Sequence, residues 1–102
     1  MQNFRTYQLA KELFRKAKVV KLKTPYKQQF ERAMLSIPLN LAEGSAKTSN
    51  ADRKRFYEIA LGSLREVQAM IDLLELDHLA KDADVLGGHL FRLVYSLDPR
   101  AR

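Results

Sequence analysis

Apolar residues recur at intervals of three and four along most of the chain, the spacing of one face of an α-helix, and no segment sustains strand alternation. Tyr7, Ala10, Phe14 and Ala17, widened by Leu9, Leu13 and Val20, predict a first helix over about residues 3 to 22. Thr24-Pro25 reads as an N-cap followed by a proline at the first helical position, where a missing amide hydrogen is harmless. A second helix should run from there to about Ala42 or Gly44 through Phe30, Ala33, Met34, Ile37 and Leu41. Pro38 lies inside it, which predicts a kink or local break near Met34 to Pro38, with Ser36 and Asn40 placed to bond the freed backbone groups.

Gly44 to Asn50 combines a helix stop with capping residues, and Ser49-x-x-Asp52 resembles a capping box with a shortened acid. The third helix should be the longest, from about Asn50 to Leu76. Its stripe comprises Phe56, Ile59, Ala60, Ser63, Val67, Met70, Ile71 and Leu74, extended by Tyr57, Leu61, Leu64 and Leu73. That face is wider than one neighbour covers, which implies a central position in a bundle or a share in a subunit interface. A fourth helix over about Asp82 to Leu97 carries Leu86, Leu90, Leu93, Val94 and Leu97 and is weakened by Gly87-Gly88. Four helices with short connections predict an all-α, antiparallel up-down-up-down bundle with a proline-kinked second helix. It forms one domain over residues 1 to 98, and 99 to 102 form a short basic tail.

Charge changes this picture more than composition does. The chain of 102 residues nets +6, and residues 1 to 23 hold seven cations against Glu12 alone, so the whole excess sits at that end. Lys11, Arg15 and Lys18 form an i, i+4, i+7 row beside the apolar stripe, a geometry suited to tracking phosphates. Lys47, Arg53, Lys54 and Arg55 form a second set around the start of the third helix, where cations oppose the helix dipole. Their partner could be RNA phosphate or an acidic patch such as Asp72, Glu75 and Asp77 of a neighbouring subunit. The absence of cysteine excludes disulfides and thiolate chemistry. With no signal-peptide core and no membrane span, a cytoplasmic protein is expected.

Two segments are more specific. Ser36-Ile37-Pro38-Leu39-Asn40-Leu41-Ala42-Glu43-Gly44 and Ala60-Leu61-Gly62-Ser63-Leu64-Arg65-Glu66 resemble signatures of the 23S rRNA intervening sequence proteins, and Phe4, Tyr7 and Ala10 fit the same pattern. The resemblance implies a bacterial four-helix bundle, a ring-like homopentamer, an association with ribosomal RNA genes and no established enzymatic activity. It also implies a distant relationship to the accessory protein of diversity-generating retroelements, a basic pentamer that partners a reverse transcriptase. The chain departs from the family in its abbreviated connection Lys23-Thr24-Pro25-Tyr26 and in its short, glycine-containing fourth helix.

The signature residues Ser36, Pro38, Asn40, Glu43, Gly44, Gly62, Ser63 and Glu66 could build a ligand site or a structural network. The network is favoured, because polar groups taken into a bundle cost roughly 1 to 3 kcal/mol each unless paired. Gly62 in mid-helix suggests close helix approach. Glu75-x-x-His78 is half of a di-metal pattern whose other half is missing, so no metal or cofactor is expected, and His78 reads as a C-terminal residue facing its helix end. The expected function is a non-enzymatic, self-associating protein that binds RNA through phosphates. Base readout is not implied, because the two clusters offer charge without an aromatic platform. The alternative is an oligomeric scaffold that recruits a protein partner such as a reverse transcriptase.

Overall fold

The computed structural model describes residues 4–98, so the basic tail expected at 99–102 lies outside the described residues. Four helices, α1 (Phe4–Ala17), α2 (Tyr26–Ser45), α3 (Asn50–Leu73) and α4 (Ala80–Ser96), make an all-α bundle about 43 Å long and 21 Å across. Each helix packs on the next and α4 closes back on α1. Contacts between α2 and α3 run in opposite senses, with Arg32 meeting Glu66, Ser36 meeting Ser63 and Ser45 meeting Tyr57. Between α1 and α4, Lys16 near the end of α1 donates through Nζ to Asp82 near the start of α4 at 2.6 Å. That carboxylate, through its hydrogen bond and then its charge, raises the Lys16 pKa above the ordinary lysine value.

The helices differ from expectation mostly at their ends. α1 stops at Ala17 instead of reaching residue 22, because two successive β-branched valines follow and Val20 and Leu22 pack on the core from a non-helical segment. Thr24 does not cap α2: the Thr24–Pro25 peptide is cis, Pro25 is the N-cap residue, and no side chain caps this end. α2 then continues without a break through the buried Pro38. Asn40 Nδ2 donates to the Ser36 carbonyl at 2.8 Å and to Ser36 Oγ at 3.1 Å, whereas the carbonyl deprived by the proline is that of Met34. Ser49 does cap α3, its Oγ accepting from the Asp52 amide at 3.1 Å.

Gly44 was expected as a helix stop, yet it lies within α2 and has no positive φ. Its role is proximity. A Cβ there would sit 2.7 Å from Cε1 and 2.9 Å from Cδ1 of Tyr57, the largest fully buried side chain among the described residues, whose hydroxyl lies 3.1 Å from Ser45 Oγ.

The end of α3 is set by a residue with no sequence signal. Glu75 adopts φ 56°, and the amides of Glu75 and Leu76 reach back to the carbonyls of Asp72 and Ile71 at 3.3 and 2.8 Å. This is the Schellman arrangement, normally made with glycine, and the buried Leu76 completes it by joining Ile71 in the core. His78 therefore belongs to a separate 310 turn, Asp77–Leu79, and not to the last turn of α3. The α3 stripe is also rotated from the expected one. Tyr57, Ala60, Leu64, Val67 and Ile71 are buried, while Ile59 and Leu73 face outward. α4 accommodates Gly87 and Gly88 inside the helix, with Gly87 buried against Leu64 and Gln68.

Candidate nucleic-acid interface

In α1 the residues that reach the core are Thr6, Ala10, Leu13 and Ala17, which turns Tyr7 and Phe14 sideways towards α2. That rotation opens a groove of about 310 Å³ between the helices. Tyr7, Phe14 and Pro38 lie along it, and Leu35 and Leu39 of α2 form its far wall, 46% and 57% exposed. The near rim is the predicted basic row, since Lys11, Arg15 and Lys18 all line this one groove. Arg15 is partnered by Glu12 at 3.4 Å, a solvent-exposed contact worth at most about 1 kcal/mol. Lys11 and Lys18 have no carboxylate partner among the described residues, so their charge faces solvent unneutralised. Past Phe14 the groove meets a recess of about 130 Å³ between Phe30 and Met34, with Glu31 on its lining.

The second set is arranged differently. Lys47 lies 3.1 Å from Glu43, Lys54 lies 3.3 Å from Glu58, and Arg53 donates to Asn50 Oδ1 at 2.9 Å. Lys47 and the exposed Arg55 also approach the Phe56 ring, 5.2 and 4.8 Å from its centroid. Much of the cost of placing cations near the α3 N-terminus is therefore offset within the chain, by carboxylates and by the ring quadrupole. The sequence leads one to expect no aromatic platform at either cluster, yet aromatic side chains lie near both. Phe56 is held among these cations, and Tyr7 and Phe14 lie beside the first row.

Three signature residues meet in a single polar group. The Ser36 and Ser63 hydroxyls are 2.7 Å apart and Asn40 joins them through Ser36, tying α2 to α3. Glu66 accepts from Arg32 at 2.8 Å on the same seam. Glu43 stands apart near the end of α2, paired with Lys47 of the connection to α3, and Pro38 lines the groove. Gly62 is exposed and a Cβ there would meet nothing within 4 Å, so the close approach expected at this position does not occur among the described residues.

The described residues contain no group of three or more His, Asp or Glu side chains able to hold a metal ion. His89 is held below the ordinary histidine value of 6.5 by burial, and further by the charges of Arg92 and Arg5. Among the described residues no helix is long and apolar enough to cross a membrane.

The family model of the 23S rRNA-intervening sequence proteins matches residues 3–86. The chain belongs to that family. No curated protein and no solved structure matches it. The part shared with the intervening sequence proteins contains both basic sets, the whole α1–α2 groove and the Ser36–Ser63 seam. Gly87, Gly88 and the rest of α4 lie beyond the match. That last stretch carries a feature outside the expectations from sequence, the exposed Phe91 and Tyr95, whose rings stack with centroids 6.2 Å apart. Their i, i+4 spacing was the available signal.

Proposed function

We propose that the protein is a non-enzymatic, self-associating RNA-binding module that contacts phosphates with Lys11, Arg15 and Lys18. Lys47, Arg53, Lys54 and Arg55 add a second, more internally compensated contact. The observation that carries the reading is the convergence of the three α1 cations on one groove, two of them without a carboxylate partner. A cationic row of this kind binds by counterion release, largely irrespective of base sequence. The family is named for 23S rRNA intervening sequences, which makes ribosomal RNA the ligand to test first. Self-association is supported by the outward-facing Ile59 and Leu73 of α3, the latter 77% exposed. In the ring of five that the family resemblance implies, weak phosphate contacts would add through avidity.

Binding of a ribosomal RNA fragment by the wild type and by the triple variant Lys11→Gln, Arg15→Gln, Lys18→Gln tests the reading. Loss of three contacts predicts roughly 100-fold weaker binding at about 0.1 M salt by counterion release alone. Equal affinities would refute it. Light scattering at several protein concentrations tests self-association, and a stable monomer would remove it.

The Phe91–Tyr95 pair favours a second reading, a scaffold for a protein partner. The ultraviolet absorbance ratio of freshly purified protein before and after a high-salt wash separates the two. Co-purifying nucleic acid supports the RNA reading, and clean protein with a retained protein partner supports the scaffold.

A further inference from the structure

We infer that the groove between α1 and α2 receives unpaired nucleobases, so that RNA on the α1 cations is single-stranded where it is held. This rests on the RNA-binding reading of Lys11, Arg15 and Lys18.

The groove is asymmetric in the way a single strand is asymmetric. All its cations come from α1, which also contributes Tyr7 and Phe14, while α2 contributes only the apolar Leu35, Pro38 and Leu39. A single strand carries phosphates along one edge and exposed π faces on the other, whereas a duplex hides those faces in its stack. The sequence repeats the required unit. Tyr7 precedes Lys11 by four residues and Phe14 precedes Lys18 by four, so each ring has a cation one helical turn away. The two units are seven residues apart, about 10 Å along the helix axis, which keeps both on one side of α1. A volume of about 310 Å³ falls in the size class of small-ligand pockets, and its lining is mostly apolar side chains with cationic ends at the edge. Leu35 and Leu39 are roughly half exposed, apolar surface that a planar base could cover.

An acidic amphipathic peptide would share the charge complementarity. The two aromatic rings on the groove favour the base, because stacking needs a π face and aliphatic peptide side chains gain nothing from one beyond area.

The test compares a short oligouridylate with an RNA duplex of equal length, using the double variant Tyr7→Leu, Phe14→Leu, which keeps apolar bulk and removes both π faces. Affinity for the single strand should fall at least tenfold while affinity for the duplex stays within about twofold. Equal losses on both RNAs, or no loss on either, would overturn the inference. Should the double variant fail to fold by circular dichroism, Leu39→Gln at an exposed position serves instead, with a severalfold loss expected on the single strand alone. The triple variant at Lys11, Arg15 and Lys18 isolates the underlying reading. If it weakens both RNAs and the ring variant weakens neither, the groove inference fails while phosphate binding stands. If the wild type binds neither RNA, both fail. Capture of an acidic amphipathic peptide, abolished by Leu39→Gln, without single-strand preference would assign the groove to a protein ligand. A change of oligomeric state on Leu39→Gln would assign it to a second copy of the chain, and either result would overturn the proposal.

Discussion

Gly44→Ala should destabilise the bundle even though alanine is the better helix former. The added methyl would stand 2.7 Å and 2.9 Å from two ring carbons of Tyr57 and 3.1 Å from the Phe56 Cβ. The first two distances are shorter than packed carbons tolerate, so something must move. Tyr57 is 1% exposed, enclosed by the core and anchored to Ser45 through its hydroxyl, so the ring has little room to retreat. Overpacking of a tight core costs about 1 to 3 kcal/mol, and a rigid buried ring places this site in the upper half of that range. Replacing glycine by alanine in a helix returns about 1 kcal/mol. The net loss is then roughly 1 to 2 kcal/mol, a fall in Tm on the order of 5 to 15 °C for a chain of this size. Thermal unfolding followed by circular dichroism at fixed protomer concentration measures it, since association would otherwise shift the midpoint. A Tm equal to or above that of the wild type would show that Gly44 is not retained for proximity.

The opposite sign is expected for Gly62→Ala, where no neighbour lies within 4 Å: about 1 kcal/mol of stabilisation in urea unfolding. A loss of stability there would reveal a contact made between chains. Glu75→Gly should stabilise by roughly 1 kcal/mol, because Glu75 holds a left-handed conformation at the α3 terminus that glycine adopts freely; an unchanged urea midpoint would refute this. His89, held below 6.5 in the folded chain, takes up a proton more readily when unfolded. Stability should therefore be full above about pH 6.5 and fall as pH drops through that value towards the folded pKa. Comparing urea midpoints at about pH 7.5 and 5.5 for wild type and His89→Gln checks it, since the variant should lose that part of the decline.

The four helices were legible because period and punctuation agreed: Ser49 marks the start of α3, and Phe30, Ala33, Met34, Ile37 and Leu41 all enter the core as spaced. The ends were less legible, for separate physical reasons. Glu75 carries no local preference for a left-handed turn; Leu76 and Ile71 packing together impose it. Gly44 looked like punctuation because a glycine required for close approach is indistinguishable in sequence from one required for a turn. The α3 stripe had several near-equivalent apolar faces, and only the neighbouring helices select Tyr57, Leu64 and Val67 over Ile59 and Leu73. The basic row on α1 could be read from spacing alone, since it depends on one helix. The groove could not, because Leu35 and Leu39 come from another helix and the spacing alone puts Tyr7 and Phe14 on the core stripe, not at its edge.

The slope of log affinity against log salt, measured for a single-stranded ribosomal RNA fragment with wild type and with Lys11→Gln, Arg15→Gln, Lys18→Gln, probes the α1 rim most directly. Each phosphate contact on a single strand contributes about 0.7 to that slope, so the variant should be shallower by roughly 2. Parallel lines would mean that these three cations release no counterions, and the α1 rim would not be where the protein holds nucleic acid.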